Sequence, residues 1–131
     1  MRSLIRAGAA LGAVALYALA LGSPAATARA ARETHTVEAQ GTFPVFRYVP
    51  AEIEVAAGDK VVWVNTTDNE HHVTPYDGPW ADRGHLHLAA GKKVSFRFKE
   101  PGSYRYYCDL PYHGQLIGPL CFGQCGSVVV E

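Results

Sequence analysis

From residue 34 onward the sequence is a succession of short β-rich runs, each closed by Gly, Pro, Asn or Asp. No stretch holds the i, i+3, i+4 apolar spacing of a helix. The runs predict strands near 34–39, 46–48, 53–55, 60–65, 72–74, 93–98, 104–107 and 127–130. Ala57-Gly58-Asp59, Thr67-Asp68-Asn69, Ala90-Gly91 and Glu100-Pro101-Gly102 supply the turns between them. Val94, Phe96 and Phe98 alternate with Ser95, Arg97 and Lys99, as in a strand with one buried and one wet face. Val61 to Val64 is apolar on both faces and therefore predicts a central strand. About eight strands so punctuated predict an all-β fold, a Greek-key sandwich or barrel. Only 75–90 lacks a period, and a loop or short helical turn is expected there.

The first thirty residues read differently. Arg2 and Arg6 precede an apolar stretch from Ala7 to Leu21, and small residues lead to Ala28-Arg29-Ala30. That is the layout of a secretory signal peptide, with cleavage expected after Ala30. Its apolar run falls short of the roughly 20 residues that span a bilayer. The expected organisation is a leader over 1–30, a single domain over 31–131, export to a periplasmic or extracellular space, and no transmembrane segment in the mature chain. Without Arg2, Arg6 and Arg29, nine basic residues face twelve acidic ones, a net charge of −3. No basic stripe exists to neutralise phosphates, which argues against a nucleic-acid partner.

The chemistry concentrates between Tyr104 and His113. An aromatic run ends in Cys108, and after a loop stiffened by Pro111, which restricts Leu110 before it, comes His113. A thiolate and an imidazole in a C-x4-H spacing suit copper or zinc better than magnesium or calcium, which prefer oxygen. A further pair, His71-His72, opens a strand after a turn. Adjacent strand residues point to opposite faces, so at most one of the two can join Cys108. His85 and His87 bracket Leu86 and could share a face, but no third ligand stands beside them in sequence, so they are expected to be a solvated pair, with adventitious zinc or copper binding as the alternative. No Ser-His-Asp grouping, buried carboxylate pair or phosphate-binding Gly loop is evident, and an enzyme is not expected.

The ordered set of 50–55, 57–65, His71-His72-Val73, 100–108 and Gly126-Ser127-Val128-Val129-Val130 resembles the cupredoxins, the small blue copper family of plastocyanin, azurin, amicyanin and pseudoazurin. The resemblance covers nearly all of the chain after the leader. It implies one type 1 copper and one-electron transfer, with ligands His71, chosen over His72 by the H-x-V pattern, together with Cys108 and His113. It also implies that Asn65 braces the ligand loops. Electrons would pass at the edge of His113, among Leu110, Pro111, Tyr112, Leu116 and Ile117, to a redox partner docking briefly on a monomer. A copper storage or delivery module is the alternative, and a substrate-accessible copper enzyme a more distant one.

The sequence departs from the family where most members place an axial methionine, because its single methionine is Met1. Spacing from His113 points to Ile117, which cannot coordinate, whereas counting back from the last strand points to Gln124, a known axial alternative. The strand count is preferred, because burial fixes strand register while loops tolerate insertions. Cys121 and Cys125 stand in a C-x3-C spacing, and in an exported chain the expected outcome is a local disulfide. A binuclear copper site and two free thiols are the other options. The binuclear site would need a His and a Met after Cys125, and neither follows.

Overall fold

A computed structural model describes residues 32–131; the leader expected over 1–30 lies outside the described residues. The strands are β1 (Thr34–Thr42), β2 (Val45–Val49), β3 (Glu52–Val55), β4 (Lys60–Asn65), β5 (His71–Asp77), β6 (Leu86–Leu88), β7 (Lys93–Arg97), β8 (Gly102–Tyr107), β9 (Gly114–Ile117), β10 (Leu120–Gly123) and β11 (Cys125–Val130). One sheet runs β2-β1-β4-β7 and the other β3-β11-β8-β5-β6, while β9 and β10 form a separate hairpin. Two pairings are parallel, β1 with β4 and β3 with β11, and the second ties the C-terminal strand to the early part of the sequence.

Period-2 alternation builds the core. Val37 and Ala39 of β1, Val61 and Trp63 of β4, Val73 of β5, Tyr104 and Tyr106 of β8, and Val128 and Val130 of β11 all turn inward. Trp80 lies among them, with Trp63, Phe98, Tyr104 and Tyr106 as ring neighbours. As its doubly apolar sequence predicted, β4 is central, between β1 and β7. Gly126 is required by close approach, since a Cβ there would meet the Tyr106 ring at 2.3 Å.

The all-β two-sheet architecture is the expected one, but about eight strands is an undercount. Among the described residues there are eleven. The segment expected as a loop or helical turn holds the end of β5 and all of β6. β6 is only three residues long and is held at the sheet edge by its partner β5, too short for a period to register. The insertion after His113 is the β9–β10 hairpin, turning at Gly118 and Pro119, with Gly118 at φ 59°.

Candidate metal centre

The site is built where β5, the end of β8 and the start of β11 meet. Alternation on β5 sends His71 inward, fully buried, and His72 toward the surface. Cys108 directly follows β8 and is buried. His113 is half-buried at the far side of the loop 109–113, which folds back through a hydrogen bond from the His113 N–H to the Leu110 carbonyl at 3.1 Å.

Gln124 reaches the same point through the backbone. Its N–H donates to the His113 carbonyl at 2.8 Å, and its own carbonyl accepts from the Cys108 N–H at 3.0 Å. The β9–β10 hairpin explains how the ten residues between His113 and Gln124 leave this junction intact. Its two ends, Gly114 and Gly123, pair with each other, so the insertion is an excursion that returns to its starting point. Both ends need glycine, because a Cβ at Gly114 would lie 2.7 Å from the Cys108 carbonyl oxygen and one at Gly123 2.4 Å from that of His113.

Four electron-pair donors converge. His71 Nδ1 lies 3.1 Å from His113 Nδ1 and 3.0 Å from Gln124 Oε1, and Cys108 Sγ lies 3.4 Å from His113 Nδ1. Ile117 is on the hairpin with its side chain largely in solvent, 57% exposed. Phe46 of β2 packs on both imidazoles, with ring centroids 4.8 Å from His71 and 4.5 Å from His113.

Thr67 Oγ1 donates to Asn65 Oδ1 at 2.7 Å, an oxygen that can only accept, and therefore receives the His71 Nε2–H at 2.8 Å. His71 Nδ1 is left as a lone pair facing another acceptor, Gln124 Oε1. The Gln124 amide nitrogen is buried without a partner. Burial, aided by the neighbouring His113, pulls His71 down to about 4, and burial lowers His113 as well, so both rings stay neutral. Burial pushes the Cys108 thiol up, against the opposing N–H groups of His72 and Leu110. The His72 N–H meets Sγ at 3.3 Å. Two neutral imidazoles, a thiol able to become a thiolate beside a cation, and an amide oxygen fit a borderline-to-soft metal ion and no purely oxygen-seeking one.

Asn65 is buried and anchors the ligand turn from β4, with its Nδ2 donating to the Asn69 carbonyl at 2.6 Å and the Leu88 carbonyl at 3.1 Å. Thr67 was not legible as a partner of His71. Its only sequence signal is a hydroxyl in the turn four residues before a histidine. Cys121 and Cys125 are joined by a disulfide, and Cys108 is the free cysteine. His85 and His87 are not the isolated pair expected from sequence, for folding brings Glu70, His72 and Asp109 beside them.

The family model described as copper binding proteins, plastocyanin/azurin family, matches residues 35–122. Chloroplastic plastocyanin of Physcomitrium patens is 33% identical over 87 residues, which cover 60% of this chain and 51% of that protein. The chain thus spans about half the length of this curated relative. Among solved structures, a methionine-to-glutamine variant of amicyanin in the Cu(I) state aligns with a TM-score of 0.56 and 26% identity, covering 75% of this chain and 82% of that one. A purple cupredoxin from Nitrosopumilus maritimus aligns with a TM-score of 0.54 and 20% identity, covering 74% and 99%, a likeness of fold.

Proposed function

The chain belongs to the plastocyanin/azurin family of copper-binding proteins, the cupredoxins, and from that premise we propose that it is an exported one-electron carrier holding one type 1 copper. His71 Nδ1, His113 Nδ1 and Cys108 Sγ are the ligands, with Gln124 Oε1 as the axial donor. The observation that supports this reading is the convergence of His71 Nδ1, His113 Nδ1, Cys108 Sγ and Gln124 Oε1 on one largely buried point. Copper, when bound, supplies the Cu(II)/Cu(I) couple.

The chain's own residues supply rigidity and access. His71 is held through Thr67 and Asn65, and Cys108 is fixed at its backbone by Gln124 and at its sulfur by the His72 N–H. Little can rearrange when the charge changes. His113 is the half-buried ligand and the route to solvent. Near it in sequence lie the exposed side chains of Tyr112, Ile117, Leu120 and Phe122, and Phe43 makes an edge contact with the Tyr112 ring. An apolar surface of this kind suits brief docking of a redox partner. With four protein donors the centre keeps no open position for a substrate, and an enzyme is not proposed. Among the described residues no helix is long and apolar enough to cross a membrane. Export rests on the leader pattern of 1–30 and predicts a mature N-terminus at Ala31.

Copper loading with visible and electron paramagnetic resonance spectroscopy tests the centre. A strong thiolate-to-copper band with narrow hyperfine splitting is expected. Cys108→Ser and His71→Ala should abolish the band, and His72→Ala should retain it. A colourless Cu(II) form, or loss of colour on removing His72 instead of His71, would overturn the assignment.

A further inference from the structure

On the outer face of β5, directly behind the buried centre, the fold assembles histidines from both sides of the loop 78–85. In the β5–β6 pairing His72 stands opposite His87, which puts the two side chains on one face. Glu70 precedes β5, and its Oε1 lies 2.9 Å from His72 Nε2 and 3.1 Å from His87 Nε2. Across the other edge of the ring, His72 Nδ1 lies 2.6 Å from Asp109 Oδ1. His85 stacks flat on His72, centroids 4.0 Å apart and planes 4° from parallel.

We propose that Glu70, His72 and His87 form a second metal site, for a zinc-class divalent cation bound through His72 Nε2, His87 Nε2 and Glu70 Oε1. The three donor atoms lie within 4.8 Å of one another. Tetrahedral zinc, with bonds of about 2.0–2.1 Å, sets neighbouring donors roughly 3.3 Å apart, close to the two separations through Glu70. Two imidazoles and one carboxylate are a donor set for zinc or copper(II), poor for the oxygen-seeking magnesium and calcium. Asp109 completes the arrangement by accepting the His72 Nδ1–H, which leaves Nε2 with its lone pair toward the ion. This is the carboxylate–histidine–metal relay that orients ligands in metal sites. Carboxylate oxygens flank both His72 nitrogens, Asp109 on one side and Glu70 on the other. The position is reachable from solvent, with the Glu70 and His87 side chains 48% and 53% exposed.

The test resolves this site from the buried one. Zn2+ alone is titrated into the copper-free full chain while the ring resonances of every histidine are followed by nuclear magnetic resonance. His72 and His87 are expected to respond in step and to saturate at one ion, independently of any response from His71 and His113. His87→Ala and Glu70→Ala should each weaken that saturation at least tenfold and leave the rings of His71 and His113 unchanged. Mg2+ at the same concentration should move neither His72 nor His87. The proposal is overturned if zinc moves only His71 and His113, if neither substitution weakens binding at His72, or if Mg2+ reproduces the zinc response. Because each ring is read separately, failure here leaves the reading of the buried centre untouched.

Discussion

Thr67 Oγ1 stands 2.8 Å from His71 Nε2 and holds that nitrogen of the buried ring, leaving Nδ1 toward Gln124 Oε1. The hydroxyl can play this part because Asn65 Oδ1 takes its proton. Removing the hydroxyl at constant shape therefore frees the tautomer without emptying the space. Thr67→Val should weaken copper binding about 10–100-fold, the usual cost of losing a partner behind a metal-bound histidine. Thr67→Ser should restore it. Competition with a chelator of known affinity measures both, and an unchanged Thr67→Val would remove Thr67 from the site.

Gln124 Oε1, 3.0 Å from His71 Nδ1, is a harder donor than a thioether and as the proposed axial ligand would favour Cu(II). Gln124→Met should raise the midpoint potential by at least about 59 mV, a tenfold change in the relative affinity for the two oxidation states. Gln124→Leu should raise it further by removing the donor. Ile117→Met, at an exposed hairpin position, should leave the potential where it is. If Ile117→Met moves the potential and the Gln124 variants do not, the axial assignment fails.

The disulfide between Cys121 and Cys125 closes a ring of about five residues at the join of β10 and β11. Alkylation of the unfolded, unreduced chain should label one thiol, Cys108. Replacing both Cys121 and Cys125 by Ser should cost about 2 kcal/mol by loop-closure entropy, measured by denaturant unfolding. Three labelled thiols would show that the ring is open.

Asp59 accepts from the Glu33 N–H at 2.9 Å, from His35 Nε2 at 2.9 Å and from the Ala56 N–H at 3.1 Å. The Glu33 amide first, then the His35 side chain, hold its carboxyl below the ordinary value of 3.8. A carboxyl depressed on folding contributes stability that is present above its unfolded pKa and lost as pH falls through the folded one. Asp59→Asn should thus lower the thermal midpoint at pH 7, with the gap to the wild type closing as pH falls below the ordinary value of 3.8 and through the lower folded one. A gap that persists unchanged in acid would mean the charge of Asp59 plays no part.

How much of this was legible beforehand follows from the range of each interaction. Alternation is a local signal, so the central position of β4 could be read from the doubly apolar run Val61 to Val64. The choice of His71 over His72 for the buried face also follows from period 2, once the H-x-V pattern sets the register. Strand register likewise pointed to Gln124, since its backbone is held between Cys108 and His113 whatever the intervening loop does.

The remainder depends on groups distant in sequence. β6 exists because β5 offers it an edge, and β9 and β10 exist because Gly114 and Gly123 can approach closely enough to pair; three or four residues carry too short a pattern to announce either. Thr67 becomes a partner of His71 only when a turn brings its hydroxyl to the Nε2 edge of the ring. His85 and His87 looked like an isolated solvated pair because Glu70, His72 and Asp109 join them only through the β5–β6 register and the return of β8. Composition and period determined which side chains turn inward; tertiary pairing decided which lone pairs meet, since a donor–acceptor distance near 3 Å is set by backbones that the sequence places tens of residues apart.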